Sequence, residues 1–213
     1  MSKVTAIFLD IGGVILTNGW DRPGRRAAAA KFSLDADDFE DRHELANPEF
    51  ETGHATLDQY LERTVFYCRR AFTPREFKEF MYSRSSEIPD SRALVDRLAA
   101  SGRYLTAAIN NEGAEINEYR IERFALRRTF ASFFSSCYVG MRKPNAPIFE
   151  LALKVTQRAP RECIFVDDRA LNVECALKLG MDAIVYRDAR QLAQELLARG
   201  IEIPAAARQG GNI

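Results

Sequence analysis

Three apolar runs of this chain end in carboxylates or carboxamides. VTAIFLD (4–10) ends in Asp10, YLTAAINN (104–111) in Asn110 and Asn111, and ECIFVDD (162–168) in Asp167 and Asp168. Brought together, Asp10 and Asp168 would make a hard oxygen site suited to Mg²⁺, which prefers carboxylates, carbonyls and water. A main-chain carbonyl of the turn after Asp10 could add a ligand. Like-charged carboxylates in one crevice repel, so a cation is the simplest way to keep both ionised. Such a metal draws in a phosphate, and Lys143 could hold both that phosphate and the Asp10 carboxylate. Asp10 then has the setting of a nucleophile on phosphorus, giving an aspartyl-phosphate that water hydrolyses. Each acid taken singly could merely cap the helix that follows it. Only the set carries the reading.

The elements that would position these residues follow from the hydrophobic pattern. Two shorter apolar stretches, SCYVG (136–140) and MDAIVY (181–186), read as further strands. Helical patterns lie between the strands: SRALVDRLAASG with Gly102 as its stop, PNAPIFELALKV, ALNVECALKLG closed by Gly180, and a last helix that Asp188 and Gln191 would cap. This alternation predicts an α/β fold, a Rossmann-like doubly wound parallel sheet covered on both faces. In such sheets ligands bind beyond the carboxyl ends of the strands, where all five polar residues fall.

Residues 17–88 break the alternation and read as helix after helix. Thr56 with Gln59, and Thr73 with Pro74 and Glu76, have the form of helix starts. The expected organisation is a core domain, residues 1–16 and 89–213, with a helical cap, 17–88, hung over the strand ends. The tail AAARQGGNI has little to pack and should fray.

Composition narrows the partners. The chain has 213 residues, 46% hydrophobic and 28% charged, with Lys+Arg and Asp+Glu both at 30. Zero net charge gives no sign of a nucleic-acid partner, which needs a basic excess. MSKVTAIFLD lacks an apolar signal region with a cleavage site, and no run approaches a membrane span. The four cysteines, Cys68, Cys137, Cys163 and Cys175, show no C-x-x-C spacing, and the chain reads as cytoplasmic and reduced.

FLDIGGVIL, the pair INN, GMRKPNAPIFELAL and IFVDDRALNVECALKLG occur in the order of the four motifs of the haloacid dehalogenase-like (HAD) superfamily. The chain most resembles its phosphatase branch with a small helical cap after the first motif. The resemblance runs from residue 4 to about residue 200. It implies a Mg²⁺-dependent phosphomonoester hydrolase acting on a small phosphorylated substrate. Asp10 matches the nucleophile and Lys143 the lysine of the third motif. Asn110 matches the phosphate-binding Ser or Thr, and Asn111 the residue after it. Asp168 matches a direct metal ligand, Asp167 its neighbour, and the Gly12 carbonyl a further ligand. Asn172 would orient the acids.

Two positions depart from that pattern. Gly12 stands where the family usually carries its general acid/base aspartate, help that is typically worth ~10²–10⁴-fold. A substrate with a good leaving group, such as a sugar 1-phosphate or an acyl phosphate, needs that acid least. Asn110 offers an amide N–H in place of a hydroxyl, still a donor to phosphate but bulkier. Glu112, Asp21, His43 and His54 are candidates for a substitute acid, although each reads first as an ordinary surface residue. Trp20, the only tryptophan, reads as a packing residue before a substrate platform. Two rival functions follow: a weak or inactive phosphoryl-ligand binding protein on the same fold, and a 2-haloacid dehalogenase. The Asp167–Asp168 pair argues against the latter, because it implies a metal that such dehalogenases do not use.

Overall fold

The computed structural model describes residues 3–205. Strands β1 (Ala6–Leu9), β2 (Leu105–Asn110), β3 (Ser132–Ser135), β4 (Cys163–Asp167) and β5 (Asp182–Val185) form one sheet in the order β3-β2-β1-β4-β5. Every pairing is parallel, with Leu9 opposite Ala108 on one side and Val166 on the other. The chain builds outward from β1 to β3, then crosses back to place β4 against the free edge of β1. That reversal leaves a crevice at the carboxyl ends of β1 and β4, where ligands bind in sheets of this kind.

The strands alternate faces, and both faces are buried. Ile7 and Leu9 join one apolar cluster with Leu94, Val95 and Leu98 of α5 (Pro89–Ala100) and Leu192 and Leu196 of α10 (Ala189–Ala198). Ala6 and Phe8 join another with Ile148, Phe149 and Ala152 of α8 (Ala146–Thr156) and Ala176 of α9 (Ala170–Lys178). Two covered faces explain why these strands read as continuous apolar runs. Removing a ring such as Phe8 from this packing is worth about 3–5 kcal/mol.

Between β1 and α5 come α1 (Arg22–Phe32), α2 (Ala36–Glu51), α3 (Leu57–Thr64) and α4 (Pro74–Ser83). They enclose a third cluster that includes Trp20, Phe39, Phe50, Tyr60, Phe77 and Met81, and that also takes in Ile116 of α6 (Ala114–Arg123). Capping boxes open α3 at Thr56 and Gln59 and α4 at Thr73 and Glu76. At α10 Asp188 accepts from the Gln191 N–H at 2.8 Å, but the Gln191 side chain turns to the Arg187 N–H, so only half of a box forms. The two segments leading into and out of this helical layer run side by side. Thr17 N–H donates to Ser86 O at 2.8 Å, and Ile88 N–H to Ile15 O at 2.9 Å.

One expected strand is misplaced. SCYVG is the short helix α7 (Ser136–Val139), ended by Gly140 at φ +67°, and the strand is the SFFS just before it. β3 is an edge strand paired only with β2, so its residues need not be uniformly apolar. From residue 206 onward, the tail expected to fray lies outside the described residues.

Candidate active site

Strand pairing sets the first carboxylate. Asp10 lies one residue past β1, and its N–H donates to Val166 O at 2.9 Å, which fixes it beside the end of β4. There Asp167 and Asp168 follow in sequence, and one oxygen from each of the three acids lies within 4.8 Å of the others. Lys143 Nζ sits between two of them, 3.0 Å from Asp10 Oδ1 and 2.6 Å from Asp167 Oδ2. Burial works against the Lys143 charge, but Asp10 and Asp167 outweigh it and raise its pKa. Burial pushes the Asp10 carboxyl up to about 7; Lys143 pulls it down, while Asp167 and Asp168 add to the rise.

The three acids are not equivalent. Asp167 is fully buried and saturated: besides Lys143, it accepts from Asn172 Nδ2 at 2.9 Å on each oxygen and from the Arg169 N–H at 2.8 Å. Asp168 accepts from Asn18 Nδ2 at 3.1 Å on Oδ2, while its buried Oδ1 has no partner among the described residues. A carboxylate oxygen without a donor in the interior is costly unless a cation meets it. With the main-chain carbonyl of Gly12 in the adjoining turn, the chemistry of this donor set fits a hard divalent cation.

The two glycines of the turn have different causes. Gly13 is at φ +73°, and a Cβ there would lie 2.3 Å from Asp168 Oδ2, so only glycine fits. Gly12 carries no such constraint. A Cβ on it would meet Asn18 Oδ1 at 3.0 Å, the end of a flexible side chain, and Arg120 Nη1 at 3.6 Å. Arg120 is held over this turn by the Thr17 carbonyl and by Glu112 Oε2, the latter at 2.9 Å. Burial outweighs Arg120 and lifts the Glu112 carboxyl to about 7.

A cavity of about 560 Å³ opens above these groups. Asp10, Gly12, Asn111, Glu112 and Lys143 line its core side, and Trp20, Asp21, His43, Asn47 and Glu51 its helical side. Asn111 is braced against Lys143 by a reciprocal pair: its Nδ2 donates to Lys143 O, and its Oδ1 accepts from Lys143 N–H, each at 2.9 Å. Asn110 departs from expectation. It is not among the lining residues, and its amide is engaged with Asn117 Oδ1 at 2.9 Å and Ser135 Oγ at 2.8 Å. Of the four candidate acids, Glu112, Asp21 and His43 line the cavity. His54 is an exposed residue bonded to Thr52, and Asp21 also caps α1 through the Gly24 N–H. Trp20 packs edge-on against Phe39 and Phe77.

A family model for haloacid dehalogenase-like hydrolases matches residues 4–180. The chain belongs to this family. This hydrolase is 30% identical over 165 residues to flavin mononucleotide hydrolase 1 of Arabidopsis thaliana, covering 78% of its own length and 66% of the relative's. It is 27% identical over 199 residues to D-ribitol-5-phosphate phosphatase of Bacteroides thetaiotaomicron, covering 89% of its own length and 95% of that protein. The fold matches that of a HAD family enzyme of Bacteroides thetaiotaomicron solved with magnesium and inorganic phosphate. That match has a TM-score of 0.71 at 18% identity and covers 87% of this chain and 95% of that one. Sequence reasoning missed Asn18, Asn47 and Arg120. Arg142 and Arg169 were visible inside the quoted motifs, but only the structure puts them on the cavity wall.

Proposed function

We propose that this hydrolase is a Mg²⁺-dependent phosphomonoesterase acting on a small phosphorylated metabolite through a phosphorylated Asp10. The observation that carries the reading is Lys143 held between buried Asp10 and Asp167, beside an Asp168 oxygen that no donor among the described residues satisfies. The two relatives named as a flavin mononucleotide hydrolase and a D-ribitol-5-phosphate phosphatase support it. Asp10, Asp168 and the Gly12 carbonyl would hold the ion, with Asp167 acting through water because its own oxygens are engaged. When bound, the ion would offset the crowded carboxylates and polarise the phosphoryl oxygens.

The chain's own groups then divide the work. Lys143 orients the Asp10 carboxylate, which attacks phosphorus as the bond to the ester oxygen breaks. Glu112 gives that oxygen its proton. A water next attacks phosphorus and gives a proton back to Glu112; the bond to Asp10 breaks and phosphate leaves. Glu112 suits this role because it lines the cavity and its carboxyl sits at about 7. Asn111 braces Lys143 and keeps one N–H for the phosphoryl oxygens, while Asn110 supports the strand end from behind. Residues 17–88 act as the cap that shuts out bulk water.

Phosphate release from a broad panel of esters, with and without Mg²⁺, tests this reading beside Asp10→Asn. Release should need the metal, favour good leaving groups and fall roughly a thousandfold or more in the variant. Substantial turnover by Asp10→Asn would overturn the assignment. A second reading, a phosphoryl-ligand binding protein, is favoured by Gly12 and by the engaged Asn110 amide. Metal-dependent phosphate binding without release from any ester would select it.

A further inference from the structure

The helical wall of the cavity carries a polar pair that the phosphoryl chemistry does not use. His43 and Asn47 stand one turn apart on α2, a spacing that puts both on one helix face, and both line the cavity. His43 is only 7% exposed. Its Nδ1 meets the Tyr60 hydroxyl at 2.8 Å, and that hydroxyl accepts the Trp20 indole N–H at 3.0 Å. An indole can only donate, so the Tyr60 oxygen accepts from Trp20 and its own hydrogen is available to Nδ1, the nearest acceptor at 2.8 Å. The imidazole is thereby fixed with its proton on Nε2. Among the described residues nothing accepts from that N–H, and the Asn47 amide also has no partner. Burial, together with Arg25, holds the ring down to about 4, so it is uncharged at neutral pH.

Three of the cations that line the cavity are already matched. Arg25 Nε donates to Glu40 at 2.9 Å, Arg142 pairs with Glu51 at 3.2 Å, and Arg120 with Glu112 at 2.9 Å. A second anion beside the pair would find these three taken; Arg169, which also lines the cavity, stands on the core side next to Asp168. An uncharged N–H donor beside an amide that both donates and accepts is instead the complement of hydroxyl groups. The cavity has room for them, since about 560 Å³ is within the range of small-molecule sites.

We propose that His43 and Asn47 are the specificity-determining pair, and that they select a phosphate ester with a polyhydroxylated leaving group, a phosphorylated sugar or polyol. The inference rests on the phosphatase reading and names its substrate class. Tyr60 is a positioning residue that sets the His43 tautomer.

The test compares kcat/KM of the full chain with Mg²⁺ on a polyol phosphate and on its deoxy analogue. In the unaltered protein the hydroxylated ester should be preferred, and His43→Ala and Asn47→Ala should each shrink that preference roughly tenfold, mostly through KM. His43→Gln, which keeps an N–H, should recover part of it. In ¹⁵N NMR spectra His43 should carry its proton on Nε2, and Tyr60→Phe should change that signature. A preference unchanged in both alanine variants, or a proton on Nδ1 in the unaltered protein, overturns the proposal. If no ester releases phosphate, the phosphatase reading fails by itself. The pair is then judged by calorimetric binding of the same two esters, where equal affinities overturn it.

Discussion

The core wall of the cavity carries Asp10 and Lys143, backed by Asp167 and Asp168, charges that lean on one another. The helical wall meets it with Trp20, a neutral His43 and the amide of Asn47. The core wall sits on strand ends whose positions parallel pairing fixes from both sides. The helical wall sits on an aromatic cluster that packs by rings stacked or edge-on. The difference separates two tasks. Charges that do chemistry on an invariant phosphoryl group need a rigid frame, because a displacement of about 1 Å can cost ~10²-fold in rate. Recognition of a leaving group needs neutral contacts that cost little to desolvate.

The comparison breaks most completely at Lys143. Among the described residues Lys143 is the only cation touching Asp10 and Asp167, so Lys143→Met leaves two buried carboxylates unmatched, and truncating one partner of a buried charge cluster typically costs about 3–5 kcal/mol. Melting in buffer should show a loss of that size, and Mg²⁺ should restore part of it by standing in for the missing charge. Phosphate release should fall by roughly a thousandfold or more. Unchanged melting without metal would mean that the core wall does not depend on its internal charge balance.

Next in size comes the contact that joins the walls. Gly113 follows Glu112 directly, and a Cβ on it would lie 2.0 Å from Cζ of Phe50, a ring stacked on Tyr60 with centroids 4.6 Å apart. Glycine is needed here for close approach. Gly113→Ala should push Phe50, and α2 with it, away from the strand ends. We expect kcat/KM to drop about ten- to hundredfold, with an overpacking cost of about 1–3 kcal/mol. Phe50→Leu in the same chain should return part of both. If Gly113→Ala leaves turnover and melting intact, the walls are not in register through this contact.

How much of this was legible in the sequence follows the same division. The core wall was readable because each apolar run ends where its strand ends, so Asp10, Asn111 and Asp168 fall just past β1, β2 and β4. The SCYVG stretch misled because an edge strand tolerates serines, whereas the more apolar segment after it closes into α7. Asn110 misled for a different reason. Its orientation is set by Asn117 on α6 and Ser135 on β3, partners that no local pattern announces. The helical wall was least legible. His43 and Asn47 show helical spacing, but a spacing does not say which helix face meets the cavity, and Tyr60 lies 17 residues from the ring it orients.

The smallest expected effect is the one the sequence made look largest. Gly12→Asp returns the side chain that the family usually carries, and φ at this position allows it. The new carboxylate would enter beside Arg120 Nη1, which already holds Glu112. An ion pair with that guanidinium favours the ionised form, so the added group would be a poor proton donor at neutral pH. The rate on an alkyl phosphate should therefore stay within about tenfold of the unaltered protein, well short of the ~10²–10⁴-fold that a working acid supplies. Glu112→Gln alone should lower that rate by about 10²-fold and should spare esters with good leaving groups. Combining the two substitutions sharpens the point: Arg120 then has the new carboxylate as its acidic partner and holds it ionised, so the rate should stay at the level of Glu112→Gln alone. A hundredfold gain from Gly12→Asp alone would show instead that Glu112 supplies no proton, and that the core wall lacks only the residue at position 12.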